Sequence, residues 1–258
     1  MGALPEGEQK ADLKRWRGAR RDMSLVQLLP NMMTVGALCA GLASIRFSAA
    51  GFFSAAVVMI LLAAVLDGLD GRLARFLKSE SPLGAELDSL ADFLNFGVAP
   101  GFLMYYWAFP AGNDFGWGAV LIYVVCTVLR LARFNIGNEV AAGLARLGKF
   151  QGVPSPAGAM LAMAPLYIAW QFPEWPMAPW PLLAIWLVLV GLMMISRLPT
   201  PSLKAVRVPT DRAAFVVIAA IAIVVLLLRY PWAVLSALTV AYSGVLLYAF
   251  AKSLLVRG

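Results

Sequence analysis

Residues 67–92 read DGLDGRLARFLKSESPLGAELDSLAD, and this stretch decides how the chain is organised. It covers the end of one long apolar run, a short turn, and the start of the next apolar run. Its aspartates form two pairs, spaced three and four residues apart, so each pair lies on one face of a helix. The four residues are Asp67, Asp70, Asp88 and Asp92. The stretch therefore predicts two antiparallel helices whose carboxylates oppose each other near a membrane boundary.

The composition of the whole chain excludes a soluble globular protein. Of the 258 residues, 61% are hydrophobic and 14% are charged, whereas soluble domains average about 45–50% and about 25%. Eight apolar runs are long enough to cross a membrane. They cover residues 28–46, 51–77, 84–108, 115–135, 154–171, 180–196, 213–229 and 231–250. We expect an all-α polytopic membrane bundle of about eight transmembrane helices, without a separate soluble domain.

The basic residues sort to one side of this predicted bundle. With a cytoplasmic N-terminus, all of the 21 Lys and Arg residues except Arg46 and Arg229 lie at cytoplasmic helix ends or loops. The positive-inside rule then places both termini and the aspartates on the cytoplasmic side. Residues 1–27 carry basic residues among apolar ones, which predicts an amphipathic surface helix, with a disordered basic tail as the alternative. We expect an integral protein of a bacterial inner membrane, without a nucleic-acid partner.

Carboxylates inside a membrane segment are costly and are retained mainly for function. Four of them would repel one another strongly, so we expect one or two divalent cations to neutralise them. Oxygen ligands favour hard cations such as Mg2+ or Mn2+. Glycines in the same stretch leave room for a phosphate, and basic residues supply positive charge to bind it. They are Gly68, Gly71, Gly84, Arg72, Arg75 and Lys78. This combination is typical of phosphoryl transfer.

The alternative for any single aspartate is a solvated helix end or a pair with a neighbouring arginine, and small residues often serve only to pack membrane helices. The chain has no histidine, which excludes every mechanism that needs an imidazole base, nucleophile or metal ligand. Its two cysteines, Cys39 and Cys126, are too few for a disulfide framework, and we expect both to be small core residues.

Asp67-x-x-Asp70-Gly71-x-x-Ala74-Arg75, then eight residues, then Gly84-x-x-x-Asp88-x-x-x-Asp92 resembles the CDP-alcohol phosphatidyltransferase signature at every fixed position. The resemblance implies a membrane enzyme with a six-helix core that attacks a CDP-linked lipid with an alcohol and releases CMP. It implies that Asp67, Asp70 and Asp88 bind metal, two Mg2+ or Mn2+ ions per site. Asp92 would be the catalytic base as well as a metal ligand.

The same resemblance implies a set of residues that bind the CDP-lipid. They are Asn31, Thr34, Asp67, Asp70, Gly71, Ala74, Arg75 and Gly84, where Asn31 and Thr34 belong to a PNxxT segment similar to the opening of the family. It also suggests a homodimer. The expected organisation is a surface segment at 1–27, the family core at 28–196 and two additional transmembrane helices at 197–258.

Three further stretches resemble the phosphatidylserine synthase branch of the family. They are NFGVAP at 95–100, RLARFN at 130–135 and FQGVPSP at 150–156, and the first has Asn95 where the branch more often has serine. The resemblance implies CDP-diacylglycerol and L-serine as substrates. Because the serine carboxylate needs cationic and polar donors, a second set of residues is expected to bind serine. These are Arg130, Arg133, Asn135 and Gln151.

Several alternatives stay open at this point. The two arginines are also typical of side chains that extend to lipid headgroups, and glycerol 3-phosphate, inositol, inositol phosphate or choline would suit the same chemistry. An ion or proton transporter also places acids in the membrane, although the last three apolar runs contain almost no polar groups. A lipid-binding scaffold without activity is a third hypothesis. Phosphatidylserine synthases that resemble phospholipase D need histidine and are excluded.

Overall fold

The structure is a computed structural model and describes residues 25–79, 81–143, 152–196 and 213–255. Residues 1–24 of the predicted surface segment and the predicted serine-binding residue Gln151 lie outside these ranges. Within them, every regular element is helical. The α-helices are α1 Leu25–Ala49, α2 Phe53–Phe76, α3 Pro82–Phe93, α4 Ala99–Ala108, α5 Asp114–Gly143, α6 Ser155–Ala162, α7 Ala164–Gln171, α8 Trp180–Ile195, α9 Ala213–Arg229 and α10 Pro231–Leu255.

Long apolar helices indicate an integral membrane protein. Four stretches of the described chain are long and apolar enough to cross a bilayer: Leu28–Ala49, Phe53–Phe76, Asp114–Asn135 and Pro231–Ala251. Trp180–Ile195 is a shorter apolar helix. The other expected spans are shorter or divided. A π-helical segment at Leu94–Val98 divides the span expected at 84–108, and Met163 separates α6 from α7 within the span expected at 154–171. Helix α9, which corresponds to the span expected at 213–229, has 17 residues.

The helices pack around one main apolar core. Side chains from α4, α5, α6, α7 and α8 form its centre, including Tyr123, Tyr167 and Leu187. Helices α1 and α2 pack along each other, and α10 packs on α6, α7 and α9. Cys126 is buried as expected, but the expectation is wrong for Cys39, whose side chain is exposed. Cys39 lies on a face of α1 that its packing partners do not cover.

Two prolines interrupt helices inside the core, and a side chain of another helix compensates for each interruption. Pro100 has no N–H to donate to the carbonyl of Phe96, four residues earlier. The hydroxyl of Tyr123 in α5 donates to that carbonyl over 2.7 Å. Pro165 likewise leaves the carbonyl of Leu161, which accepts from the indole Nε1 of Trp186 in α8 over 2.8 Å. Backbone groups that the prolines leave free are therefore satisfied within the bundle, as an apolar environment requires.

The π-helical segment buries an amide against α1. Asn95 is 0% exposed, and neither polar atom of its side chain has a hydrogen-bond partner among the described residues. A Cβ atom built on Gly41 would overlap Asn95 Oδ1. Gly41 is therefore the residue that makes room for Asn95 beside α1.

We predict that Gly41→Ala lowers the thermal stability of the purified protein, because overpacking of a tight contact costs about 1–3 kcal/mol. Asn95→Ser in the same chain should restore the midpoint, since serine is the smaller side chain. Gly36→Ala is the control, because a Cβ there meets Leu66 at an ordinary 3.6 Å. Thermal denaturation of the four proteins in detergent tests this. An unchanged midpoint for Gly41→Ala, or no recovery with Asn95→Ser, would contradict it.

Candidate active site

A short reversal of the chain brings the two aspartate pairs together. Helix α2 ends at Phe76, and Lys78 adopts a left-handed conformation with φ of 50°. Ser81 then caps α3, because its hydroxyl accepts from Gly84 N over 3.0 Å, and Pro82 occupies the first turn. The cap fixes where α3 begins and thereby sets Asp88 and Asp92 opposite the acids of α2.

Asp70 joins α2 to α1. The residue is 3% exposed, and the hydroxyl of Thr34 donates to Oδ2 over 2.6 Å. The backbone N–H of Gly71 donates to Oδ1 over 2.5 Å. Thr34, which was predicted to bind the CDP-lipid, therefore also orients one of the predicted metal ligands.

Asp67 and Asp92 meet between the helices. Their carboxyl groups lie in hydrogen-bonding contact, and Asp67 Oδ1 is buried without a partner among the described residues. Two carboxylates in contact repel unless a proton or a cation lies between them. Asp88 and Asp70 are near enough to interact electrostatically with each other, and Asp70 with Asp92. The four acids thus form one electrostatically coupled group.

A cavity of about 490 Å³ opens beside this group. Its wall includes seven of the eight residues predicted to bind the CDP-lipid: Asn31, Thr34, Asp70, Gly71, Ala74, Arg75 and Gly84. Asp88 also lines the cavity, whereas Asp67 lies outside its lining, against Asp92. Six of the eight fixed positions of the sequence motif therefore line one cavity.

The cavity offers groups that an anion can use. Arg75 lines it with an exposed side chain whose Nε donates to Gly71 O over 3.0 Å. Ser79 also lines it, and its buried hydroxyl has no partner among the described residues. A guanidinium and a free hydroxyl on one wall are suited to phosphate oxygens.

The aspartates fit a hard divalent cation by their chemistry. Among the described residues, no three acidic or sulfur side chains already converge as a ready metal centre. Asp70 is instead held by Thr34 and by Gly71 N. The donors are nevertheless all oxygens, and the unpartnered Oδ1 of Asp67 lies in a group of like charges. A cation such as Mg2+ would satisfy that oxygen and reduce the repulsion.

The predicted serine-binding residues divide into two groups. Arg130 donates to the hydroxyl of Ser155 and interacts electrostatically with Asp92. Asn135 Nδ2 donates to Ser89 Oγ on α3 over 3.1 Å, so both come to the side of α3. Arg133 is exposed, and its Nη1 donates to Ile195 O at the end of α8 over 2.7 Å. The structure therefore brings Arg130 to Asp92 and Asn135 to Ser89 of α3, and it uses Arg133 elsewhere.

Sequence reasoning missed several contributors to the site. Ser81 was detectable, because serine before a proline at the start of a helix is typical of a cap. Ser79 and Ala85 line the cavity, and Ser89 bonds Asn135, but no pattern in the sequence marks them. Their roles depend on how α1 and α5 dock against the turn between α2 and α3.

Comparison with known proteins connects this geometry to a family. Residues 27–196 match CDP-alcohol phosphatidyltransferase. CDP-diacylglycerol–serine O-phosphatidyltransferase of Mycobacterium leprae (strain TN) is 44% identical over 197 residues, 76% of this chain and 65% of that protein. The enzyme of that name from Mycobacterium tuberculosis (strain ATCC 25618 / H37Rv) is 41% identical over 196 residues, covering 76% and 68%. The one from Helicobacter pylori (strain ATCC 700392 / 26695) is 31% identical over 180 residues, covering 70% and 74%. The match thus spans about two thirds of the mycobacterial proteins.

Proposed function

The chain belongs to the CDP-alcohol phosphatidyltransferase family, and from this premise we propose that it transfers the phosphatidyl group of CDP-diacylglycerol to the hydroxyl of L-serine. The products are phosphatidylserine and CMP. The observation that carries the proposal is the electrostatic contact of Arg130 with Asp92, on the helix whose Asp88 lines the cavity. A base for the serine hydroxyl then lies next to a cation for the serine carboxylate. The relatives named CDP-diacylglycerol–serine O-phosphatidyltransferase support serine as the acceptor.

Each substrate has a place in this proposal. The cytidine diphosphate group occupies the cavity, where Arg75 and Ser79 contact phosphate oxygens and Gly71 allows close approach. The acyl chains lie between helices in the bilayer. Serine approaches from the side of α5, with its carboxylate at Arg130 and its hydroxyl at Asp92.

The reaction is a single displacement. Asp92 takes the proton from the serine hydroxyl as the oxygen attacks the phosphorus on the diacylglycerol side. A new P–O bond forms to serine, the P–O bond to the CMP phosphate breaks, and CMP leaves with the bonding electrons. No side chain of the signature is a suitable nucleophile, so no covalent intermediate is expected. When bound, divalent cations held by Asp67, Asp70, Asp88 and Asp92 would neutralise charge on the phosphate oxygens.

We further propose that the chain crosses a bacterial inner membrane eight times, as a six-helix core with two additional helices, and forms a homodimer. The distribution of basic residues supports a cytoplasmic site, because the end of α2 carries Arg72 and Arg75 and the turn that follows carries Lys78. The exposed apolar side chains of α9, such as Leu228 at 81% exposure, support contact with lipid or a second copy.

The acceptor assay tests the proposed function. Purified protein receives labelled CDP-diacylglycerol with serine, glycerol 3-phosphate, inositol, inositol phosphate or choline, and CMP and lipid products are measured. We expect CMP and phosphatidylserine with L-serine, and at most a background rate with the others. CMP release with another alcohol and none with serine would overturn serine as the acceptor while leaving the family chemistry in place.

We predict that Gly71→Ala raises KM for CDP-diacylglycerol about tenfold, since one lost phosphate contact at a charged group is worth roughly that factor. A Cβ on Gly71 meets nothing within 4 Å, so the protein should fold normally while the methyl group enters the cavity. Gly68→Ala is the matched control, because it also meets nothing within 4 Å but lies outside the cavity. Equal KM values for the two variants would argue against phosphate approach at Gly71.

A further inference from the structure

The last helix, α10, carries a tyrosine whose hydroxyl is unpaired inside the bundle. Tyr242 Oη is buried and has no hydrogen-bond partner among the described residues. The aromatic ring packs against the main apolar core, so the position of the hydroxyl is held by packing. Burial of an unbonded hydroxyl is unfavourable, and in a membrane helix it is a feature that needs a reason. A bound molecule that accepts a hydrogen bond would provide one.

The charged neighbour of Tyr242 is an active-site residue. Arg130 interacts electrostatically both with Tyr242 and with Asp92, and it donates to the hydroxyl of Ser155. One guanidinium therefore interacts with both the candidate base on α3 and the phenol on α10. Tyr242 stands outside residues 27–196, which match the family, so this contact comes from a helix beyond the matched region.

Arg130 and Tyr242 together select the kind of ligand. A guanidinium only donates hydrogen bonds, and a phenol donates one through its O–H. Two donors that interact electrostatically with each other at one place are suited to an anion with two oxygens, and a guanidinium binds carboxylate with high geometric specificity. The position of Arg130 beside Asp92 also fits a hydroxyl-bearing amino acid, because its hydroxyl and its carboxylate are a short distance apart.

We infer that Tyr242 and Arg130 together bind the carboxylate of the acceptor amino acid, so that α10 supplies a substrate-binding residue. This inference rests on the proposed function. It assigns a role to the last helix beyond the family core, since α10 supplies a hydroxyl to the acceptor side of the site. It also accounts for the buried hydroxyl of Tyr242, which is satisfied when the acceptor is bound.

The test is Tyr242→Phe, which removes the hydroxyl and keeps the ring. We expect KM for L-serine to rise about tenfold, as for one lost hydrogen bond to a charged group. KM for CDP-diacylglycerol should stay the same, and kcat should change by less than about threefold. Tyr248→Phe is the matched control on the same helix, because Tyr248 is 70% exposed and should leave every constant unchanged.

A second measurement separates binding from packing. Wild-type protein should be stabilised against heat by L-serine but not by ethanolamine, which has the hydroxyl and the amine without the carboxylate. Tyr242→Phe should lose this stabilisation, and the midpoint of the free protein should stay the same or rise, because the variant no longer buries an unbonded hydroxyl. An unchanged KM for serine in Tyr242→Phe, or a stabilisation of the variant by serine equal to that of wild type, would overturn the inference. Absence of CMP release from wild-type protein with serine would instead overturn the proposed function.

Discussion

Asp92→Asn is expected to lower kcat for CMP release by at least about 100-fold, because general-base catalysis typically contributes a factor of about 10²–10⁴. Asparagine has nearly the same shape but cannot accept the proton of the serine hydroxyl. The loss should appear in kcat more than in KM for CDP-diacylglycerol, since Asp92 lies outside the lining of the cavity that includes Arg75 and Gly71. Steady-state kinetics with each substrate varied in turn measures this division.

The control for this variant is Glu86→Gln, which removes an exposed acid from the same helix. It should keep the wild-type rate. Binding of CDP-diacylglycerol to Asp92→Asn, measured directly by competition with a labelled analogue, should be close to wild type. A near-wild-type turnover rate for Asp92→Asn would show that Asp92 is not the base.

Removal of divalent cations should have an effect of similar size. Dialysis against EDTA is expected to reduce the rate at least about 100-fold, because charge stabilisation on phosphate oxygens by a metal ion is worth several kcal/mol. Mg2+ or Mn2+ should restore it. Asp67→Asn should weaken this recovery, because Asp67 Oδ1 is a buried carboxylate oxygen without a partner among the described residues.

Thermal stability provides a readout that does not depend on activity. Mn2+ should raise the denaturation midpoint of wild-type protein, because it neutralises acids that repel one another. Asp67→Asn should reduce the shift, whereas Asp114→Asn, which changes an exposed acid at the start of α5, should not. Full activity after exhaustive chelation would rule out the cation requirement.

The aspartate site was accessible to sequence reasoning because its residues are close along the chain. Helical periodicity alone places Asp67 near Asp70 and Asp88 near Asp92, and the short turn brings the two pairs together. The hydrogen bond from Thr34 to Asp70 is different, since it depends on how α1 docks. A motif can predict that Thr34 belongs to the site but not that it orients a carboxylate.

Tertiary contacts also determine which partners the two arginines of α5 have. Arg130 and Arg133 are three residues apart, and sequence reasoning assigned both to serine. The structure directs Arg130 to Ser155 and Arg133 to the last carbonyl groups of α8. Tyr242 lay in an apolar run with no assigned role, because hydropathy cannot show which polar group inside a span meets a charge. The division of the third expected span at Leu94–Val98 was equally hidden, although Asn95 and Pro100 were visible.

The paired prolines have a consequence for biogenesis. Each interrupted helix precedes, in chain order, the helix whose side chain satisfies its carbonyl: Tyr123 follows Phe96, and Trp186 follows Leu161. During synthesis, each interrupted segment therefore leaves the ribosome with an unpaired backbone carbonyl, before the helix that donates a hydrogen bond to it has been made. The free energy of entering the lipid is then lower for the two hydrogen-bonded segments together than for the interrupted segment alone. A chain truncated after the interrupted segment, and before the segment that donates to its carbonyl, should be retained at the translocon and degraded.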